Sequence, residues 1–395
     1  METLLETHIS IISNESANNQ IITGNEVKSD KIIDYDRLIN DFGCQRIDNE
    51  IIQLLEKIIE NRGLSSQRHK YMSHFTRGIF FSHRDFKTLL VDYIAGKQFY
   101  LYTGRGPSSY SMHIGHLVPF QMTQLLQELF DVQVVIQLTD DEKYYYDNNG
   151  KRLTDFKKMA DENTKDIMAC GFNPQKTFIF TNTEYIQHLY PTIIEINKAS
   201  NFNLFRSVFG FDNHTSIGKI SFPSIQAAPC FSRCFTNLFS GGEEIPCLIP
   251  CAIDQDSYFR MTRDIAHKIG GLKPILLHAK FLPSLNGLTS KMSSSIPDSV
   301  IFLSDEPKMV NKKIQKSFSG GGKTLEEHRL MGGNLDVDVS IHYLKFFLPD
   351  DQEYEQICKQ YREGTLTSGE IKKKAVTIIN SVIKKHKLNR LDILL

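Results

Sequence analysis

A doubly wound α/β fold is predicted for this 395-residue chain by three observations. From about residue 86 onward, short apolar, β-branched runs alternate with longer helix-like stretches, the pattern of parallel strands joined by crossover helices. The first of these units passes from Gln98–Thr103 (QFYLYT) through the turn Gly104-Arg105-Gly106-Pro107-Ser108-Ser109 into a helix, the order of a nucleotide-binding unit. After about Ser295 the strand-like runs stop and helical patterns alone remain. The expectation is a Rossmann-type parallel sheet at 86–300, followed by a helical domain at 301–395.

The elements follow in order. Residues 1–30 are rich in Ser, Asn, Glu and Ile without a steady period and read as a poorly ordered arm, dispensable for chemistry. Residues 31–85 form a short helical extension, with helical periodicity from Asp41 to Gly63 and Gly63 as its C-cap. In the α/β unit the helix runs from His113 through Leu117, Leu125 and Leu129 to about Phe130, and Val132–Leu138 (VQVVIQL) is the next strand. Further strands are expected at Thr177–Phe180, Cys247–Ile253 and Pro274–Phe281. Glu306–Lys316, Val339–Phe347, Asp351–Arg362 and Glu370–Lys387 read as helices.

Composition narrows the class. Forty-six basic residues balance 46 acidic ones, which excludes a general basic coat for indiscriminate nucleic-acid binding and leaves only a local patch. The candidate is the last helix, with Lys372, Lys373, Lys374, Lys384, Lys385 and Lys387, although such runs are commonly solvated faces. No apolar run is long enough to span a bilayer and no secretory signal opens the chain, so the expected compartment is the cytoplasm. Seven cysteines then favour reduced thiols. Cys230, Cys234, Cys247 and Cys251 form two CxxxC pairs. The second lies in a strand-like run where residues four apart stand too far apart to chelate together, so no metal site is expected.

Two short motifs point to chemistry. His113-Ile114-Gly115-His116 opens the first helix, where unpaired backbone N–H groups and the positive dipole end face an anion, and Gly115 admits a ligand without a Cβ in the way. Alone, the histidines would equally suit an ordinary helix face. Lys291-Met292-Ser293-Ser294-Ser295 lies far downstream, a lysine able to reach a polyphosphate beside hydroxyls that can assist it. Together the motifs read as two halves of one ATP site.

These signatures resemble the HIGH and KMSKS motifs of class I aminoacyl-tRNA synthetases. Tyr100 to Ser108 (YLYTGRGPS), Gln137 to Lys143 (QLTDDEK), Ala252 to Asp256 (AIDQD), Arg77 to Asp85 (RGIFFSHRD) and Ser221 to Pro229 (SFPSIQAAP) look like the eukaryotic-type cytosolic tryptophanyl-tRNA synthetases. The resemblance runs from about Lys31 to the C-terminus. It implies ATP- and Mg²⁺-dependent activation of L-tryptophan, transfer to tRNA(Trp), a homodimer, and an anticodon-binding role for the helical domain. His113, His116 and Lys291 would hold and neutralise the phosphates, with Arg105, Gly115, Met292, Ser293, Ser294 and Ser295 completing the ATP site.

Tryptophan offers a single side-chain donor, its indole N–H, so a selective pocket needs an acceptor at its deep end. The resemblance assigns this to Tyr102 and Gln137. Glu142, just past a strand end, suits the α-ammonium group; Gln226 and Gln255 would complete that end, and Phe259 would form a wall. Two rivals stand beside this reading. One is tyrosyl-tRNA synthetase, disfavoured by Gln137 and Asp254-Gln255-Asp256; the other is a catalytically silent RNA-binding module, disfavoured by the intact motifs.

Overall fold

The computed structural model describes residues 20–22, 27–29, 32–292 and 299–394. Its strands are β1 Gln20–Ile22, β2 Val27–Ser29, β3 Gln45–Arg46, β4 Phe80–Arg84, β5 Tyr100–Arg105, β6 Val134–Leu138, β7 Thr177–Thr181, β8 Cys247–Ala252, β9 Ile275–Ala279, β10 Pro283–Ser284 and β11 Gly287–Lys291. Seven of them form one sheet in the order β3-β4-β9-β8-β5-β6-β7. Within it β9, β8, β5, β6 and β7 are parallel, and β3 and β4 add an antiparallel edge.

The chain starts this parallel sheet in its middle. From β5 it steps outward to β6 and β7, then returns to the other side of β5 for β8 and β9. This is the doubly wound arrangement, and it opens a crevice between β5 and β8 beyond the carboxyl ends of the strands. All five residues of β6 are buried, as a parallel strand covered on both faces requires. The helix Ile114–Phe130 connects β5 to β6 and stops at Asp131, which takes a left-handed conformation with φ 55°.

The helical extension differs in detail from the sequence pattern. Of the run expected from Asp41 to Gly63, Asp41 and Phe42 end a helix that begins at Tyr35, and the rest is helical only over Asn49–Asn61. Gly43, at φ 63°, ends the first helix, and the carboxylate of Asp48 caps the second by accepting from Ile51 N; these local stop and start signals override the apolar period. The extension also supplies β3 and β4 to the main sheet.

A second, small sheet has the order β1-β2-β11-β10, antiparallel throughout. Two pieces of the segment expected to be a poorly ordered arm thus have a defined place: β2 pairs with β11, with Ser290 opposite Lys28. The remainder of that arm lies outside the described residues.

Beyond residue 300 come helices Pro307–Lys316, Leu325–Met331, Val339–Phe347, Asp351–Arg362 and Ser368–Leu394. One apolar cluster runs from Leu101 and Ile136 in the sheet to Tyr343, Ile379 and Ile383 in these helices. The last helix is also fastened to the helix Leu153–Met168: Arg390 pairs with Asp166 at 2.7 Å and Glu162 at 2.5 Å, and the His386 ring meets Asp166 O at 2.8 Å. Among the described residues no helix is long and apolar enough to cross a membrane.

Candidate active site

A cavity of about 380 Å³ occupies the crevice. Its lining contains Tyr102, Arg105, His113, Gly115, His116, Gln137, Glu142, Gln226, Gln255, Phe259 and Met292. The strand order therefore gathers residues that the sequence scatters over almost two hundred positions. Lys291 ends β11 directly before Met292; its side chain and Ser293, Ser294 and Ser295 lie outside the described residues.

At the β5–β6 side, a buried hydrogen-bonded chain sets the polarity of the pocket. The Tyr102 hydroxyl donates to Gln137 Oε1 and approaches Gln226 O at 3.0 Å. Gln137 Nε2 donates to Asn182 Oδ1 at 2.7 Å and to Ile225 O at 3.3 Å. Asn182 in turn donates to Asp141 Oδ1 at 2.7 Å. With both amide hydrogens of Gln137 engaged, its oxygen is fixed toward the Tyr102 hydroxyl, and the lone pairs left on these two oxygens are the acceptors available to a ligand N–H. Phe259 meets the Tyr102 ring edge-on, with centroids 6.0 Å apart.

Glu142 stands at the polar mouth of this end. Its carboxylate accepts from Thr139 Oγ1 at 2.7 Å and Lys143 Nζ at 2.8 Å. Gln226 Nε2 donates to Gln255 Oε1 at 3.3 Å. At Gly106 a Cβ would come within 1.9 Å of Lys143 Cε and 2.9 Å of Glu142 Oε2, so any larger residue would have to push these side chains aside. Burial, the leading influence, pushes the Asp141 carboxyl up to about 6 against the pull of the Asn182 amide.

At the β5–β8 side, His113 caps the helix Ile114–Phe130, its Nδ1 accepting from His116 N at 3.3 Å. Burial, with the Arg105 charge adding to it, brings its imidazole down to about 3, so it is neutral. A neutral ring that accepts at Nδ1 carries its proton on Nε2. That Nε2 is buried without a hydrogen-bond partner among the described residues. The His116 ring stacks on His113 at 3.5 Å. Arg105 is buried, donates from Nε to Asn163 Oδ1 at 2.5 Å, and keeps Nη2 without a partner among the described residues; burial brings it down to about 10.

The backbone around His113 also pairs with the segment that follows the second motif. Ile114 N donates to Ile301 O and Leu303 N donates to Met112 O, both at 2.9 Å, around a bridge between His113 and Phe302. A Cβ on Gly115 would lie 3.0 Å from His113 Nδ1 and 3.2 Å from Met292 Cβ. Gly115 thus makes room for the other half of the site, beyond the clearance for a ligand expected of it.

Sequence reasoning assigned no site role to Asn182, Thr139, Lys143, Asp254 or Lys280. All except Asn182 line the cavity. Their common signal is a polar residue one to a few positions past the carboxyl end of a parallel strand. The four clustered cysteines are free, and burial raises the Cys234 thiol to about 12 and the Cys230 and Cys251 thiols well above the ordinary range. Elsewhere, Cys44, Asp256 and His278 come within 4.8 Å of one another. There Arg84 donates to both Asp256 oxygens, at 2.8 and 2.9 Å, and serves as the cation.

With this geometry in place, the comparisons with known proteins assign the family. The family model described as tRNA synthetases class I (W and Y) matches residues 95–384. The cytoplasmic tryptophan–tRNA ligase of Homo sapiens is 49% identical over 372 residues, covering 93% of this chain and 77% of that protein. The crystal structure of Plasmodium falciparum tryptophanyl-tRNA synthetase superposes with a TM-score of 0.83 at 46% identity, covering 91% of this chain and 94% of that one. The tryptophan-bound Encephalitozoon cuniculi enzyme gives 0.82 at 42%, covering 91% and 94%. The chain belongs to the class I tRNA synthetases of the tryptophan and tyrosine family. Within it the chain sides with the tryptophan enzymes, and its activity is the ATP-dependent ligation of tryptophan to tRNA.

Proposed function

We propose that the cavity activates tryptophan as tryptophanyl-adenylate, releasing pyrophosphate, before transfer to tRNA(Trp). The tryptophan carboxylate attacks the α-phosphate in line, so the chain needs no covalent nucleophile; positioning and charge stabilisation carry the step. The indole N–H is received by Tyr102 and Gln137, the ring lies against Phe259, and the α-ammonium group faces Glu142, with Gln226 and Gln255 beside it. His113 Nε2–H and His116 hold phosphate oxygens, Lys291 neutralises the departing pyrophosphate, and Arg105, Gly115, Met292 and Ser293 to Ser295 complete the ATP end. The residues around His113 offer nitrogen donors rather than the oxygens Mg²⁺ prefers, so that ion would be held by the nucleotide's own phosphates, where it would offset their charge.

The observation that carries this reading is the buried chain Tyr102–Gln137–Asn182–Asp141, whose Tyr102 and Gln137 line the same cavity as the capped helix N-terminus at His113. It offers oriented oxygen acceptors in an otherwise apolar recess, which suits an indole N–H. The division 31–85, 86–300 and 301–395 is retained, with an anticodon-binding role for the last part. Of its candidate lysines, Lys372, Lys374 and Lys387 engage protein partners, and the exposed Lys373, Lys384 and Lys385 are those left to meet an RNA backbone. A homodimer is proposed as well, supported by exposed Tyr190 and Ile194 on the helix following edge strand β7. The compartment is the cytoplasm, as in the names of its relatives.

ATP–pyrophosphate exchange with each of the twenty amino acids tests the assignment, with Lys291→Ala as control. Exchange supported by tryptophan alone, and lost in the variant, is the expected result. Exchange with tyrosine would overturn the roles of Tyr102 and Gln137.

A further inference from the structure

Lys280 has no part in the scheme above, yet it lines the same cavity. It follows β9 directly, on the flank of the sheet opposite β6. The residues assigned to tryptophan rise largely from β5, β6 and the helices beside them. Lys280 shares its flank with Phe281, Leu282 and Met292, the last of these belonging to the ATP half. Its backbone is fixed, since Lys280 N donates to Ile79 O at 2.9 Å. The ammonium lies 5.1 Å over the Tyr35 ring, and Tyr35 is itself tied down by accepting from Phe281 N at 3.0 Å.

The charge of Lys280 is uncompensated. Lys143 is paired with Glu142 and Arg105 is engaged by Asn163. Lys280 has no carboxylate within ion-pair distance among the described residues, and Asp36 reaches it only as a weaker, longer-range attraction. Behind it stands a second cation, Lys345 on the helix Val339–Phe347. Burial first, and the charge of Lys280 next, bring that ammonium down to about 8. Lys345 itself lies outside the cavity, so an anion in the cavity would answer the charge of Lys280 and relieve this repulsion. The cavity's substrate with several negative charges is ATP.

We propose that Lys280 is a further ATP-binding residue, its ammonium meeting the polyphosphate from the β9 flank, across the cavity from the helix N-terminus at His113. The inference rests on the ATP site described under Proposed function. It adds to that site a cation placed before Lys291 acts, supplied by the sheet.

The test compares Lys280→Met and Lys280→Arg with the wild-type chain by pyrophosphate exchange, by direct titration with ATP alone, and by thermal unfolding. Loss of one charge-assisted contact predicts that Lys280→Met raises KM for ATP and for pyrophosphate about tenfold. KM for tryptophan should stay unchanged and Tm should not fall, and Lys280→Arg should recover most of the loss. Changes under about twofold for ATP and pyrophosphate, or an equal rise for tryptophan, would overturn the proposal. So would a rise for ATP without one for pyrophosphate, which would place Lys280 at the nucleoside. If the wild-type chain fails to exchange with tryptophan, the activation scheme falls, and the ATP titration still decides Lys280.

Discussion

Gln137 shows how one side chain can be legible in its role and illegible in its support. Its position in β6 and its family string pointed to the indole, but the partner that orients it, Asn182, comes from the start of a helix 45 residues later, and its only local mark is its place just past the carboxyl end of β7. The dependence is testable. Gln137→Leu strips the Asn182 oxygen of its donor in a buried setting, so unfolding free energy should fall by about 1–3 kcal/mol and KM for tryptophan should rise, with KM for ATP little changed. Thermal unfolding and exchange kinetics check both parts. Lys291→Ala is the complementary case: the exchange rate should drop on the order of a hundredfold with tryptophan KM intact, because the lysine acts on charge that develops as pyrophosphate leaves.

Among the elements, those declared by local pattern were found where the sequence put them. The β5 turn, the helix from Ile114 and strand β6 are specified by apolar runs and breakers that act over a few residues. Strands β1 and β2 carry no such pattern; what defines them is a neighbour, β11, more than 250 residues downstream. That pairing sits next to Lys291. Removing residues 1–31 should therefore leave the folded core and its Tm nearly unchanged while lowering exchange on the order of tenfold through loss of positioning. A truncated chain with wild-type exchange would show that β11 keeps its place alone. Strand β4 was missed for a related reason, since its run is short and its antiparallel partner β9 lies far along the chain.

The whole molecule carries an acid sensitivity that no single element reveals. Removal from water holds His74, His83 and His342 at about 4, and His113 at about 3. Each stays neutral in the fold but would take up a proton below about pH 6.5 when unfolded. Their contribution to stability is thus fully present above that pH and is lost as pH falls toward their folded values. Asp141, raised to about 6, works the other way, its contribution fading as pH rises through that value. Four groups oppose one, so Tm should fall from pH 7 to pH 5, as calorimetry can check. RNA binding should separate from activation on the same scale. Replacing exposed Lys373, Lys384 and Lys385 with Glu should raise KM for tRNA and flatten its salt dependence, leaving pyrophosphate exchange as it was.

The bridge between His113 and Phe302 has a further consequence, in time rather than in energy. It joins segments nearly two hundred residues apart, and contacts of such long sequence separation form slowly because the intervening chain must first be ordered. The tryptophan end needs only residues from about Tyr102 to Phe259, whereas the ATP end waits for β11 and the segment after it. During refolding, recovery of tryptophan binding should precede recovery of ATP binding. The chain contains no tryptophan of its own, so the emission of the bound amino acid can time the first of these events without background from the protein.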